Sequence, residues 1–397
     1  MVAKDIAYFG DPYIMRGSAQ GLCLLVGGIA VLSRIDSVLT RYWPILGYLF
    51  VILVSASVAA QPTYVLLQVI SLGAVLLFFI AYFETERVRG YQSELFMQST
   101  VGAYAAIMVL SLVAAWALPQ FAYEVLPGNE VRFRGLFAKS GMLGTAAGVM
   151  IGIAWFGFKR WWSRLIFIVP AIFCLAWTLS RTFWVALLVA WAVTAWRLKP
   201  QSRKWVVGAL LVGSFVVAVA GVLNVQIDEK AADKMLRTGT ITNLSGRVTL
   251  WASGFEAIKR SPLLGYGFTA GSDGLKGDGS DLAGRDDSSI NDARSHGRVT
   301  VHSGYLQSML DSGVLGSFFY LAAMFLAVLR LWQRGNEERF APHLFALLFL
   351  LIANVTENVV YSAAVYSSLL FWGIAIFALS LPSARSRTRS VAKDHDG

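Results

Sequence analysis

Charged residues are scarce in this chain, and their scarcity excludes an ordinary soluble domain. Asp, Glu, Lys and Arg make up 15% of the 397 residues, whereas 56% are hydrophobic and the mean hydropathy is +0.59. A soluble globular domain carries charge at about a quarter of its positions. The composition therefore predicts a polytopic membrane protein.

Cysteine is nearly missing, and nucleotide-binding motifs are missing altogether. The two cysteines, Cys23 and Cys174, both lie in apolar segments, so the sequence supports neither a disulfide framework nor a zinc site. No Walker loop occurs, which argues against ATP-driven transport. We therefore expect no cofactor.

Apolar runs long enough to cross about 30 Å of hydrocarbon recur along the chain. They lie at 18–33, 43–60, 63–83, 100–119, 140–158, 163–179, 182–197, 205–224, 303–332, 341–356 and 360–381. We predict an all-α polytopic membrane protein with about 11 transmembrane helices (range 10–12). The predicted domains are N-terminal transmembrane helices (1–224), a long polar loop containing short helices (225–302), C-terminal transmembrane helices (303–381) and a basic tail (382–397).

Basic residues cluster in a few short segments, which predicts the orientation of the chain. The clusters are Arg197, Lys199, Arg203 and Lys204, then Arg330, Arg334 and Arg339, and then Arg385, Arg387, Arg389 and Lys393. By the positive-inside rule these segments are cytoplasmic, and the loops at 120–139, 180–181, 225–302 and 357–359 lie outside. The loop from 225 to 301 holds ten acidic and ten basic side chains, so the net charge of +10 does not indicate nucleic-acid binding.

Arg247 begins a predicted amphipathic helix within the long loop. It follows Ser245, a good N-cap, and the apolar residues Val248, Trp251, Phe255 and Ile258 recur at spacings of three and four. The free N–H groups of the first turn, beside a guanidinium, favour a phosphate or pyrophosphate. Ser261-Pro262 is expected to end this helix.

Three motifs fall in order across this loop: GRVTLW, SPLLGYGF and VHSGYLQSMLDSGVLG. They resemble the O-antigen ligase and polymerase superfamily, whose domain runs G-R-x-x-x-W, P-x-x-G-x-G, and H-N-x-x-L followed by G-x-x-G. Ser303 stands where that family usually has Asn. RFRGLFAKSGMLG at 132–144 and TLSRTFW at 178–184 resemble two further family stretches, so the likeness covers residues 132–316.

The resemblance implies a GT-C-like integral membrane glycosyltransferase in the bacterial inner membrane, with its active site facing the periplasm. Its implied donor is an undecaprenyl-pyrophosphate-linked glycan, its acceptor a glycan or lipid A-core, and its other partners are membrane lipids. Attack of the acceptor hydroxyl in one displacement inverts the anomeric configuration. Details of the motifs lie nearest to the exopolysaccharide-polymerase branch, with O-antigen ligase as the alternative.

Arg181 and Arg247 are the predicted clamp for the donor pyrophosphate. Arg181 lies in a short turn at the outer membrane boundary, where a lipid-linked phosphate would also lie. The alternative for Arg181 is snorkelling to lipid headgroups. Arg134 and Lys139 are further cations on the same predicted face and are candidates for binding the donor.

His302 and Arg247 are the predicted catalytic residues. A neutral imidazole is a natural acceptor for the proton of a sugar hydroxyl, although a lone histidine is more often structural. Tyr305, one turn further on, either lines the acceptor cleft or packs. Glu357, in a short outer loop, either orients a sugar or caps a helix.

Carboxylates offer little support for a metal site. The acidic run from Asp273 lacks EF-hand spacing and is better interpreted as a mobile acidic lid, with calcium binding as the alternative. The D-x-D sequence, often used to hold a divalent ion, occurs only at Asp394-His395-Asp396. We therefore predict a metal-independent reaction. A flippase or transporter of lipid-linked sugar and a structural subunit stay as remote alternatives, since a transporter favours pseudo-repeated halves and mid-membrane charge.

Overall fold

A computed structural model describes residues 12–89, 94–126, 130–198, 247–275, 300–360 and 366–381, most of which are helical. The helices are α1 (Pro12–Leu32), α2 (Ile35–Val54), α3 (Pro62–Arg89), α4 (Glu94–Ala117), α5 (Pro119–Ala122), α6 (Ser140–Gly157), α7 (Trp161–Trp177), α8 (Arg181–Leu198), α9 (Arg247–Arg260), α10 (Ser272–Leu275), α11 (Gly304–Gln333), α12 (Ala341–Ala353) and α13 (Tyr366–Ser380). Two 3-10 turns occur at Ser55–Val58 and Glu338–Phe340.

The predicted apolar runs coincide with helices α1–α4, α6–α8 and α11–α13, apart from the run at 205–224, which lies outside the described residues. Within the described part of the chain, 5 segments are long and apolar enough to cross a membrane. They are Ile35–Val58, Pro62–Glu84, Phe96–Ala117, Ser140–Gly157 and Gly304–Gln333. The protein is therefore a helical membrane protein.

A short hairpin departs from the predicted all-α architecture. Strand β1 (Tyr123–Leu126) pairs antiparallel with β2 (Glu130–Phe133), and Glu124 lies opposite Arg132. The rings of Tyr123 and Phe133 both pack against Trp177 at the end of α7. The hairpin therefore lies beside the turn that joins α7 to α8.

Helices α6 and α12 pack closely because glycines on α6 leave room for aromatic rings. A Cβ atom at Gly148 would lie 2.2 Å from the Phe349 ring, and one at Gly152 would lie 1.8 Å from the Phe345 ring. Small residues allow such close approach between helices within a bilayer. This contact fixes α12 against α6, and thereby fixes the loop that follows α12.

Several connections meet at one end of the bundle, which we call the loop face. It carries residues 55–61, 118–126, 130–139, 178–182, 247–275, 300–303 and 354–360. Ser55 Oγ accepts a hydrogen bond from Phe268 N at 3.3 Å, and Thr269 Oγ1 donates to Tyr64 OH at 3.2 Å. Leu136 N donates to Ser111 Oγ near the end of α4 at 3.2 Å. The loops predicted to lie outside the membrane are thus neighbours, as far as they are described.

The opposite end of the bundle carries basic residues. Arg197, at the end of α8, donates from Nη1 to Asn336 Oδ1 at 2.6 Å and from Nε to Trp332 O at 3.0 Å. Arg334 and Arg339 both lie within ion-pair distance of Glu337. The basic segments at 199–204 and 382–397 lie outside the described residues.

Candidate functional site

His302 lies on the loop face directly before α11, with its imidazole partly exposed. Ser303 caps this helix, since its Oγ accepts from Leu306 N at 3.5 Å. His302 itself has φ of 48°, in the left-handed region that costs a non-glycine residue about 1–3 kcal/mol. Asn, Asp and His tolerate this region better than most residues do.

Glu357 faces the imidazole of His302. Its Oε2 lies 3.9 Å from His302 Nδ1, and the two side chains are 21% and 39% exposed. This separation is an ion-pair distance for a protonated imidazole and exceeds a normal hydrogen bond. From the sequence, Glu357 could either orient a sugar or cap a helix. The structure places its carboxylate beside His302.

Asn354 holds the loop of Glu357 against the start of α11, and no pattern in the sequence marked this residue. Its backbone oxygen accepts from Gly304 N at 2.9 Å, and its Nδ2 donates to Tyr320 OH at 3.2 Å. Its Oδ1 accepts from Val359 N and Val360 N, each at 3.3 Å. Because Asn354 is fully buried, these bonds join residues 354–360 to α11 as one unit.

The start of α8, which carries Arg181, contacts the loop of Glu357 through Thr182, the next residue in the chain. Thr182 Oγ1 lies 3.1 Å from Thr356 Oγ1, and Thr356 directly precedes Glu357. Arg181 begins α8, and its side chain is exposed on the loop face. The turn at 180–182 therefore meets the loop that carries Glu357.

Arg134 and Lys139 lie on the loop face without a described contact to His302. Arg134 Nε donates to Phe121 O at 2.9 Å, so its guanidinium is partly engaged with the backbone. Lys139 is exposed and directly precedes α6. Glu124 accepts hydrogen bonds from both the backbone N and the Oγ of Ser140. These two cations therefore lie next to the hairpin, and their role in binding a donor stays a prediction.

Arg247 begins α9, as predicted, and the helix ends at Arg260 directly before Ser261-Pro262. Ser245 lies outside the described residues. Trp251, one turn after Arg247, donates from Nε1 to Val301 O at 2.8 Å. Val301 precedes His302, so the G-R-x-x-x-W helix is tied to the peptide next to the candidate catalytic residue.

The P-x-x-G-x-G segment enters a break in α11, a feature that was not predicted from the sequence. The helix is interrupted at Gly313, which has φ of 64° and ψ of −166°. Val314 N and Leu315 N donate to Pro262 O and Leu263 O at 2.8 and 3.3 Å. In return, Leu310 O and Asp311 O accept from Tyr266 N and Gly267 N at 2.8 and 3.0 Å. The loop thus completes the hydrogen bonding of the interrupted helix.

Tyr305 was a candidate for lining the acceptor cleft. Its hydroxyl donates to Leu351 O at 2.8 Å, and its ring packs against the main hydrophobic core. This contact uses the hydroxyl to join α11 to α12, which matches the packing alternative.

Within the described residues, no group of three or more His, Cys, Asp or Glu side chains is placed to hold a metal ion. The proposed lid begins at Asp273, and its residues from Lys276 onwards lie outside the described part of the chain. The site that the structure describes therefore consists of cations, an imidazole and a carboxylate.

The comparison with known families concerns the segment that contains most of this site. Residues 166–321 match the family model described as O-Antigen ligase. This match includes Arg181, Arg247 and His302 and confirms the superfamily resemblance drawn from the motifs. No curated protein matches the chain.

Proposed function

We propose, because residues 166–321 match the O-Antigen ligase family model, that the protein is a membrane glycosyltransferase acting on an undecaprenyl-pyrophosphate-linked glycan. It works at the periplasmic face of the bacterial inner membrane. About 11 transmembrane helices (range 10–12) surround the site. It polymerises an exopolysaccharide or O-antigen chain, and its acceptor is a glycan.

One observation carries this proposal: the turn with Arg181 and the loop with Glu357 meet beside His302. The Thr182–Thr356 contact of 3.1 Å joins them. A cation, an imidazole and a carboxylate therefore gather at one end of the membrane helices. Lipid-linked phosphates lie at that depth, and a sugar attached to them would extend over the loop face.

The proposed reaction is a single displacement at the anomeric carbon of the donor. The acceptor hydroxyl oxygen forms a bond to that carbon while the bond from carbon to pyrophosphate oxygen breaks. The pyrophosphate leaves with the bonding electron pair, and His302 takes the hydroxyl proton. Attack from the opposite side inverts the configuration, and no metal ion is required.

Arg181 and Arg247 hold the pyrophosphate and stabilise the charge that builds on it as it leaves. Each guanidinium can form a two-pronged contact with phosphate oxygens. At an effective dielectric constant near 20, a charge pair about 4 Å apart interacts by about 4 kcal/mol. Arg134 and Lys139 attract the same anion from the hairpin side.

Glu357 orients His302 for this role. With Nδ1 directed towards Glu357, Nε2 is the nitrogen that accepts the proton of the acceptor. The carboxylate also stabilises the imidazolium that proton transfer creates. Their separation of 3.9 Å suits this electrostatic role, and catalytic contacts often shorten when substrate binds.

The family description favours a second candidate, an O-antigen ligase that joins the finished glycan to lipid A-core. Bond making and breaking are the same in both, so the acceptor alone separates them. Purified protein is given one labelled lipid-linked donor with either a second lipid-linked glycan or lipid A-core. Chain extension supports the polymerase, and transfer to lipid A-core alone supports the ligase.

The residue roles are tested with binding and single-turnover transfer of an undecaprenyl-pyrophosphate glycan. His302→Ala should bind the donor normally and lose about two to four orders of magnitude in turnover, the usual worth of general base catalysis. Arg247→Lys and Arg181→Lys should lose donor binding as well as turnover, because lysine lacks the planar fork. Glu256→Gln is the matched control, since Glu256 is 68% exposed on α9 and pairs with Lys259.

Weak donor binding in His302→Ala, with normal binding in Arg247→Lys, would reverse the two assignments. Unchanged transfer in both variants would refute the proposed site. Movement of the lipid-linked glycan across the membrane without transfer would support a transporter instead.

A further inference from the structure

Asp311 is a fully buried carboxylate at the break in α11, outside the proposed catalytic groups. Its Oδ2 accepts from Thr269 N at 2.8 Å, and its Oδ1 accepts from Gly271 N at 2.7 Å. Backbone N–H groups that donate to a carboxylate form charge-assisted hydrogen bonds, which are stronger than neutral ones. Asp311 therefore fastens the segment after the P-x-x-G-x-G motif to α11 just before its break at Gly313.

Gln307 extends this contact towards His302. It lies one turn before Asp311 on α11, and its Nε2 donates to Asp311 Oδ1 at 2.8 Å. Its Oε1 accepts from Val301 N at 3.3 Å. A continuous path of hydrogen bonds therefore runs from Gly271 through two buried side chains to the peptide before His302.

Val301 is the point where this path meets α9. Its N–H is held by Gln307, and its oxygen accepts from Trp251 Nε1 at 2.8 Å. Val301 is fully buried in a small core with Leu306 and Leu310, apart from the main core. Both peptide groups of Val301 are thus fixed on either side, directly before the left-handed backbone of His302.

We propose that Asp311, acting through Gln307, is a positioning residue for glycosyl transfer. It sets the place of His302 and of the α9 helix that begins at Arg247, and this role rests on the function proposed above. Asp311 touches no reacting atom. It holds the donor-binding helix and the general base in one register, although about 50 residues separate them in the chain.

Asn is the sharpest substitution at position 311, because it keeps the shape and removes the charge. The Asn side chain has an NH₂ group in place of one carboxylate oxygen, and this group cannot accept a hydrogen bond from Thr269 N or Gly271 N. One buried N–H is then left facing a donor. The loop must shift to relieve this contact, and α9 moves with it.

The experiment measures geometry and turnover in the full-length protein. Spin labels are attached at Lys259→Cys, a side chain 70% exposed on α9, and at Val355→Cys, a residue 48% exposed beside Glu357. The background carries Cys23→Ala and Cys174→Ala. Distances between the labels are recorded by pulsed electron paramagnetic resonance for Asp311→Asn and Gln307→Met, with Glu256→Gln as control.

We expect Asp311→Asn to broaden the distance distribution and to lower single-turnover transfer per folded molecule by about 10–100-fold. A displacement of about 1 Å has an effect of this order. Gln307→Met keeps the length of the side chain, removes both hydrogen bonds and should give the same two changes. If Asp311→Asn does not fold, Gln307→Met alone tests the positioning role. The control should match the parent protein in both measurements.

A merely structural role would reduce the amount of folded protein and leave the rate per folded molecule and the distances unchanged. That result would overturn the positioning role, as would a slower rate with an unchanged distance distribution. The proposed function would survive both, because the parent would still transfer glycan. No transfer by the parent would instead refute the proposed function itself.

Discussion

Gly265 is the residue at which the junction between loop and helix can be tested most directly. Its φ is +66°, and a Cβ atom there would lie 2.4 Å from Leu310 O and 2.7 Å from the Asp311 carbonyl carbon. Both neighbours are backbone atoms, so no side chain can rotate away. We predict that Gly265→Ala destabilises the protein and slows glycan transfer.

The magnitude follows from two contributions. The left-handed conformation costs an L-residue about 1–2 kcal/mol. To reach a tolerable contact of about 3.0 Å, the Cβ must also move by at least 0.6 Å, the difference from the present 2.4 Å. That shift weakens the bonds from Tyr266 N and Gly267 N, which contribute about 0.5–1.5 kcal/mol each. The expected loss is about 2–4 kcal/mol.

The assay is the half-life of folded protein in detergent at a fixed elevated temperature, because large membrane proteins commonly unfold irreversibly. Gly102→Ala is the matched control, since no atom lies within 4 Å of a Cβ at that position in α4. A glycine-to-alanine change in a helix stabilises the folded protein by about 0.5–1 kcal/mol, so the half-life of the control should be at least that of the parent. Gly313→Ala, with φ of +64° and a Cβ 2.2 Å from Leu263 O, should resemble Gly265→Ala.

A Gly265→Ala protein with the half-life and transfer rate of the parent would refute this reasoning. It would mean that the P-x-x-G-x-G segment is free to leave the break in α11. Shortened half-lives in Gly265→Ala and Gly102→Ala alike would show instead that the assay responds to any added methyl group.

Three further predictions concern orientation, metal and Glu357. Single cysteines at Ser280 and Ser202 should be labelled by an impermeant thiol reagent in intact spheroplasts only at Ser280; the reverse pattern would overturn the orientation given by the basic loops. Purified protein should transfer glycan in excess EDTA, and full loss restored by manganese or magnesium would direct attention to the carboxylates between Asp273 and Asp292. Glu357→Gln should lower turnover by about 10–100-fold, or about 1.4–2.8 kcal/mol, with donor binding intact; an unchanged rate would remove Glu357 from the mechanism. This loss is well below that expected for breaking a buried ion pair, because the side chains of His302 and Glu357 are both partly exposed.

Hydropathy predicted the positions of the described apolar helices, because a membrane helix must be apolar and hydrogen-bonded within itself. The start of α9 at Arg247 and its end before Ser261 were also predictable, since helical spacing and the Ser-Pro pair are local signals. The β1–β2 hairpin was not predicted. Its strands are four residues each, too short for an alternating pattern to stand out.

The polar contacts within the site could not be predicted, because they join residues far apart in the chain. Asn354 with Gly304, Thr182 with Thr356, and Asp311 with Gly271 leave no periodic pattern in the sequence. His302 could be chosen from its motif, but its left-handed backbone and the approach of Glu357 follow only from the fold. Gly313 similarly read as part of an uninterrupted apolar run.

The bonds of Asn354 restrain one side of the proposed site. Under the function proposed above, a bulky glycan acceptor must reach His302, and the residues around it must move apart to admit it. Residues 354–360 and the first turn of α11 are locked to each other by Asn354 and cannot supply that movement. The contact between Thr182 and Thr356 is a single hydroxyl pair and separates more easily. Under the function proposed above, an opening for the acceptor would therefore form between the start of α8 and the loop of Glu357.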